Sequence, residues 1–162
     1  MNGERTVIEY LLLAEAVQVI DGKIHVAGGG FDTMLVQAVP QTTQLAIACG
    51  VLVPWREAGK EHTLTVSVAT ADGRALAPPH RQTFRTGRAA ALLHGAPVHV
   101  PFAITWELTF PDYGRYAVTA SVDARRDTER RLEFSVQPAP GAEPAISEEE
   151  MNVIDEELST GL

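Results

Sequence analysis

The 162-residue chain holds few side chains able to do chemistry, and their spacing matches no common catalytic arrangement. Its histidines are His25, His62, His80, His94 and His99, and no two of them form a His-x-x-x-His pattern beside a carboxylate, as a helical metal site would require. His94 and His99 come nearest, but they straddle Gly95-Ala96-Pro97. The single cysteine, Cys49, lies on the apolar side of an alternating run, whereas a reactive thiol needs exposure and a positive setting, so it reads as core. Ser67, Ser121 and Ser135 fall in mid-run without the Gly-x-Ser-x-Gly turn of a nucleophilic serine. The expectation is no catalytic residue, no bound metal and no cofactor.

Two further patterns have a sharp and a plain reading. Gly28-Gly29-Gly30 has the richness of a phosphate loop, but such a loop opens a helix whose N-terminus faces the anion, and here the β-prone run Phe31 to Val36 follows. A bend or bulge is the better expectation. Asp32, Asp72, Asp112, Asp123 and Asp127 mark loop ends, where a sandwich can assemble a calcium site. No Asp-x-Asp cluster occurs among them, and turns favour aspartate for reasons of their own backbone.

Two arginine groups remain. Arg81, Arg85 and Arg88 form one, and Arg125, Arg126, Arg130 and Arg131 form the other. Solvated loop charge is the plain reading. The sharper one is that the second group receives an acidic partner, since the guanidinium fork matches a carboxylate. One such partner is in the chain itself. Residues 138–162 hold Glu143, Glu148, Glu149, Glu150, Asp155, Glu156 and Glu157 and no Lys or Arg, which leaves residues 1–137 almost neutral although the whole chain carries a formal net charge of −8. A domain without a basic excess is a poor candidate for nucleic acid, where phosphate neutralisation dominates affinity.

The elements that position these residues are read as strands. Ala16 to Ile20 and Lys23 to Ala27 flank Asp21-Gly22, the dipeptide suited to a type I′ hairpin turn because both central residues need positive φ. Between Gln44 and Val53, Leu45, Ile47, Cys49, Val51 and Val53 share one face, and the small residues Ala46, Ala48 and Gly50 share the other, which predicts a strand covered on both sides. His62 to Thr70 alternates next, with Leu64, Val66 and Val68 inward. Residues 75–97 contain Pro78-Pro79 and stay open between a short strand at Gln82 to Arg85 and irregular chain. Val98 to Phe110 alternates at length, and Pro101 within it argues for an edge strand. Residues 116–122 and 131–136 form a closing pair around the polar turn that carries Arg125, Arg126 and Arg130.

Asp112-Tyr113-Gly114-Arg115-Tyr116 has the Asp-x-Gly-x-Tyr form of a tyrosine corner, in which the second tyrosine's hydroxyl bonds back to upstream backbone. Together these signals predict an all-β fold, an immunoglobulin-like antiparallel β-sandwich of about 7–9 strands over residues 1–137. Residues 138–162 are expected to be a Pro-rich linker and an acidic tail, with a short helix started by the capping box Ser147 to Glu150 and an apolar face of Met151, Ile154 and Leu158. Neither a signal peptide nor an apolar span of membrane length is present, so a cytoplasmic protein without a membrane partner is expected.

The run from Leu12 to Asp32, containing Val17-Gln18-Val19-Ile20-Asp21-Gly22-Lys23-Ile24-His25-Val26-Ala27-Gly28-Gly29-Gly30, resembles the opening of a family of uncharacterised bacterial proteins common in actinobacteria. The family is similar to the chain again at Phe110-Pro111-Asp112-Tyr113-Gly114-Arg115-Tyr116, and the resemblance covers roughly residues 7–137. It implies a β-sandwich and no assigned activity, so it transfers no catalytic residue. Eleven of the 13 basic residues are Arg, and Ala, Gly and Pro are abundant, as in a high-GC genome.

The functional expectation is a non-enzymatic module that binds another protein or self-associates as a homo-oligomer. Arg125, Arg126, Arg130 and Arg131, or Met151, Ile154 and Leu158 of the tail, are its candidate contacts. The alternative is a small-molecule or carbohydrate-binding domain with a loop-lined cleft. Trp55 is its candidate platform, because Trp106 shares parity with core residues.

Overall fold

The computed structural model describes residues 5–87 and 95–142. The expected tail helix with Met151, Ile154 and Leu158, and the positions of Arg88 and His94, lie outside the described residues. Those described form ten strands: β1 Val7–Ala14, β2 Ala16–Ile20, β3 Lys23–Ala27, β4 Thr33–Val36, β5 Gln41–Val53, β6 Glu61–Thr70, β7 His80–Arg85, β8 Val98–Phe110, β9 Gly114–Val122 and β10 Arg130–Pro138. Short 3-10 turns at Trp55–Glu57 and Arg126–Thr128 interrupt the β5–β6 and β9–β10 connections.

The fold is a β-sandwich. One sheet runs β1-β5-β8 and the other β4-β10-β9-β6-β7, while β2 and β3, among the described residues, pair only with each other. Eight strands therefore build the two layers, within the expected range, and the hairpin adds two. One pairing departs from the antiparallel expectation: β4 runs parallel to β10. Nearly a hundred residues separate the two strands, so no hairpin imposes opposite directions on them, and parallel pairing needs only a crossover of sufficient length.

Alternation along the strands supplies a common core. Leu45, Ile47, Cys49, Val51 and Val53 of β5 meet Leu64, Val66 and Val68 of β6 and Val118, Ala120 and Val122 of β9, all buried. At one end Phe110 stands edge-on to Tyr116 at 5.1 Å and to Phe134 at 6.0 Å between ring centres. Such aromatic pairs add about 1 kcal/mol beyond the area they bury. The tyrosine corner forms as expected: the Tyr116 hydroxyl donates to the Asp112 carbonyl at 2.6 Å. Pro101 sits on β8, which among the described residues pairs only with β5 and is thus an edge strand. Of the stretch left open in sequence, His80–Arg85 becomes β7.

The second face of β5 is covered by the hairpin. Ala14, Val17, Ala46 and Ala48 form a separate apolar cluster, flanked by Tyr10, Leu12, Ile24 and Ala103. The alanines are what let β2 and β3 lie close. Asp21 and Gly22 have φ of 51° and 71°, the two positive angles of the predicted turn. At the hairpin base the Glu15 amide donates to the carbonyls of Ala27 and Gly28, and the Gly30 amide donates to that of Leu13. A Cβ at Gly28 would fall 2.6 Å from the Glu15 carboxyl carbon. Gly28 and Gly30 take φ of 61° and 88°, so the glycines serve the bend that these backbone bonds hold, with a strand and not a helix after them.

Candidate functional site

Two regions of the sandwich concentrate groups that recognise ligands or partners. The first is the end where the β5–β6 and β9–β10 connections meet the chain before β1. His62, the second residue of β6, is buried, with Nδ1 2.9 Å from Asp123 Oδ2 and Nε2 3.2 Å from the Glu57 carbonyl. Asp123 has φ of 55°, and its Oδ1 accepts the Thr63 amide at 2.9 Å. Glu57 turns its carboxylate to the opposite side, where Oε2 accepts both the amide and the hydroxyl of buried Thr6. Thr128 closes the loop, accepting the Val122 amide at 2.9 Å and donating to the Arg125 carbonyl at 2.7 Å.

On the outside of this network, Asp127 accepts from Arg125 at 2.8 Å and from Arg5 at 2.8 Å. Those guanidinium groups hold the Asp127 carboxyl below the usual carboxylate range, the Arg125 hydrogen bond being the larger cause. The arrangement can fix two loops in one conformation. Among the described residues no group of three metal-ligating side chains occurs.

The structure separates the predicted arginines. Arg125 is committed to Asp127, while Arg126 is exposed on the adjoining 3-10 turn. Arg130 reaches across to the first sheet, where Nη1 donates to the carbonyls of Ile8 at 3.3 Å and Glu9 at 3.0 Å. Arg131 points to the opposite side, since neighbours on a strand alternate, and pairs with Glu133 at 3.3 Å. Trp55 opens the 3-10 turn and is half-buried. Trp106 is half-buried as well, its ring centre 6.3 Å from that of His80, because its core-facing position lies on an edge strand. Cys49 is buried, and burial pushes its thiol up to about 12, as befits a core residue.

The second region was not expected from sequence. The exposed large apolar side chains among the described residues are Val19 at 42%, Ile20 at 48%, Val26 at 40% and Leu35 at 57%, and the first three all lie on the β2–β3 hairpin. Val19 pairs with Ile24 and Val26 with Val17, so these four share a face, and Ile20 lies on the other beside Lys23. The face of Val19 and Val26 is the one whose Val17 and Ile24 pack on the first sheet, so the two valines stand partly exposed at its margin, and the outer face near the turn carries Ile20 beside Lys23. Its tip approaches a β-bulge in β1: Ile8 stands opposite Val51 and Tyr10 opposite Gly50, leaving Glu9 as the extra residue. The bulge turns Glu9 outward to His99, with Oε2 2.9 Å from Nδ1. Only the Val/Ile content of residues 17–26 hinted at this region, and alternation alone does not reveal that no third strand covers it.

No curated protein matches the chain. Among solved structures, the chain is similar to the alkylpurine DNA glycosylase AlkC of Pseudomonas fluorescens bound to DNA containing an abasic site analog, at 11% identity and a TM-score of 0.44. That likeness covers 83% of this chain and 31% of the glycosylase. It is also similar to the CARDB domain of a Pyrococcus furiosus protein in complex with di-metal ions, at 11% identity and a TM-score of 0.41, covering 80% of this chain and 94% of that one. The sequence profile of a family of unknown function, DUF6941, matches residues 9–137, and the chain belongs to that family.

Proposed function

We propose that the chain is a non-enzymatic, immunoglobulin-like module that binds protein, with self-association as the primary mode, and that the β2–β3 hairpin is its contact element. The observation that carries this reading is the placement of Val19, Ile20 and Val26, three exposed large apolar side chains on one two-stranded ribbon. A ribbon pairing only with itself also keeps unpaired amides and carbonyls along its outer edges, ready for strand addition. The committed loop-end network supports a binding role over an enzymatic one, because its polar groups are spent on each other. The arginine-rich, alanine-rich and glycine-rich composition supports a bacterial, high-GC source, and a cytoplasmic location accords with the single buried cysteine.

Light-scattering mass of the full chain over a range of concentrations tests the reading. The expected result is a species heavier than the 17.5 kDa chain that reverts to monomer in a Val19→Thr, Ile20→Thr, Val26→Thr variant, which keeps β-branched side chains. Reversion on truncation to residues 1–137, with the triple variant unaffected, would instead assign assembly to Met151, Ile154 and Leu158. A monomer at every concentration rules out self-association.

A further inference from the structure

Between the hairpin tip and the outer face of the β1-β5-β8 sheet lies a cleft of about 300 Å³. That is at the small end of the range for ligand sites, which are mostly apolar with a few placed polar groups. Its floor is built by two positions acting together. Gly50 has no side chain, and the Tyr10 ring lies across it so closely that a Cβ there would fall 2.1 Å from Cε1. Pro101, paired with Gly50, extends this floor, Val100 contributes backbone alone because its side chain packs on the core, and Ile24 and Gly22 of the hairpin cover it.

The polar groups in the cleft are unequal. The Glu9 carboxylate is taken up by His99. Lys23 and Tyr10 line the same space, and neither side chain has a hydrogen-bond or ion-pair partner among the described residues. Burial, then the neighbouring Cys49 and Glu9, hold the Tyr10 hydroxyl above the ordinary tyrosine range, so it remains a proton donor at neutral pH. An ammonium and a phenol, both donors, therefore stand unmatched beside an aromatic and aliphatic floor. They fit the two oxygens of one carboxylate whose body is flat and apolar.

From this juxtaposition we propose that the cleft binds a small aromatic carboxylate, with Tyr10, Ile24 and Pro101 receiving the ring and Lys23 and the Tyr10 hydroxyl receiving the carboxylate. The inference stands independently of the hairpin as a protein contact.

The test is a backbone amide NMR titration of the full chain with benzoate, and with benzyl alcohol as the uncharged counterpart. Saturable benzoate shifts are expected at Gly22, Lys23, Gly50 and Val100, with benzyl alcohol weaker at the same amides. Lys23→Gln, a change at an exposed position, should weaken benzoate about threefold and leave benzyl alcohol unchanged. Tyr10→Phe should weaken benzoate while keeping the ring contact, and its dispersed spectrum reports that the fold is intact. An unshifted spectrum at millimolar benzoate overturns the proposal. So do shifts confined to another face, or benzoate binding that Lys23→Gln leaves at full strength.

Discussion

His62 Nδ1 lies 2.9 Å from Asp123 Oδ2 while its Nε2 faces the Glu57 carbonyl at 3.2 Å, so both nitrogens of a buried ring meet acceptors. A neutral imidazole has one N–H and satisfies one of the two; the imidazolium donates to both, and the Asp123 carboxylate is then its counter-charge. This pair ties β6 to the β9–β10 loop and, through Glu57, to the chain before β1.

Asp123→Asn isolates the charge, because asparagine tolerates the positive φ of 55° that most residues resist. Losing the carboxylate leaves the ring facing an amide that is a weaker acceptor. Breaking a fully buried pair costs more, but Asp123 is partly exposed, so the expected loss is about 2 kcal/mol. Urea midpoints of wild type and variant at equal m-value measure it. An unchanged midpoint would show that the pair contributes nothing.

Much of the sandwich was legible because its signals are local. Asp21-Gly22 specifies a turn by its own φ requirement, Asp112 to Tyr116 specifies a corner by a hydroxyl four residues from its acceptor, and Ala46, Ala48 and Gly50 announce a covered outer face by lacking bulk. The candidate sites were not legible, because they join distant residues. His62 meets Asp123 from 61 positions away, and Arg130 finds the Ile8 and Glu9 carbonyls across the sandwich. The Glu9 bulge, which frees those carbonyls, leaves no mark in the alternation of Val7 to Ala14.

Tyr116→Phe removes the corner hydroxyl and keeps the ring against Phe110 and Phe134. One well-aligned hydrogen bond is lost, worth about 1 kcal/mol net, so a shift in thermal midpoint of a few degrees is expected for a domain of this size. A midpoint that does not move would make the corner a signature of the fold without a share in its stability.

Tyr10 and Tyr116 both have hydroxyls above the ordinary tyrosine range, chiefly through burial. Since the folded value is raised over the unfolded one, the neutral form is favoured in the fold. Their contribution is complete below the unfolded value near 10 and is lost as pH rises through the folded one. Alkaline titration by phenolate absorbance, compared with Tyr10→Phe and Tyr116→Phe variants, should therefore show the Tyr10 and Tyr116 phenolates forming late, with unfolding free energy declining over the same interval. Ordinary titration of Tyr10 and Tyr116 would contradict the burial argument.

Cys49 offers a readout of core integrity. With the thiol buried and pushed up to about 12, almost no thiolate exists at neutral pH, and none of it is reachable. A thiol-exchange reagent should react negligibly with the native chain and release one equivalent on denaturation. Rapid native reaction would mean that the two sheets separate on the reagent's timescale.

Gly50→Ala tests the contact on which the cleft floor rests. The added Cβ would sit 2.1 Å from the Tyr10 ring, so the ring must swing away from β5, at an overpacking cost of roughly 1–3 kcal/mol. If the ring is the sole obstacle, the penalty should largely vanish when Gly50→Ala is made in a Tyr10→Ala background. A double-mutant cycle in urea would then give a coupling of about 1 kcal/mol or more. Simple additivity would place the strain in the β5 backbone and not in the ring. Because β5 is paired on both sides, that result would mean that glycine serves the ladder there, with Tyr10 covering it only incidentally.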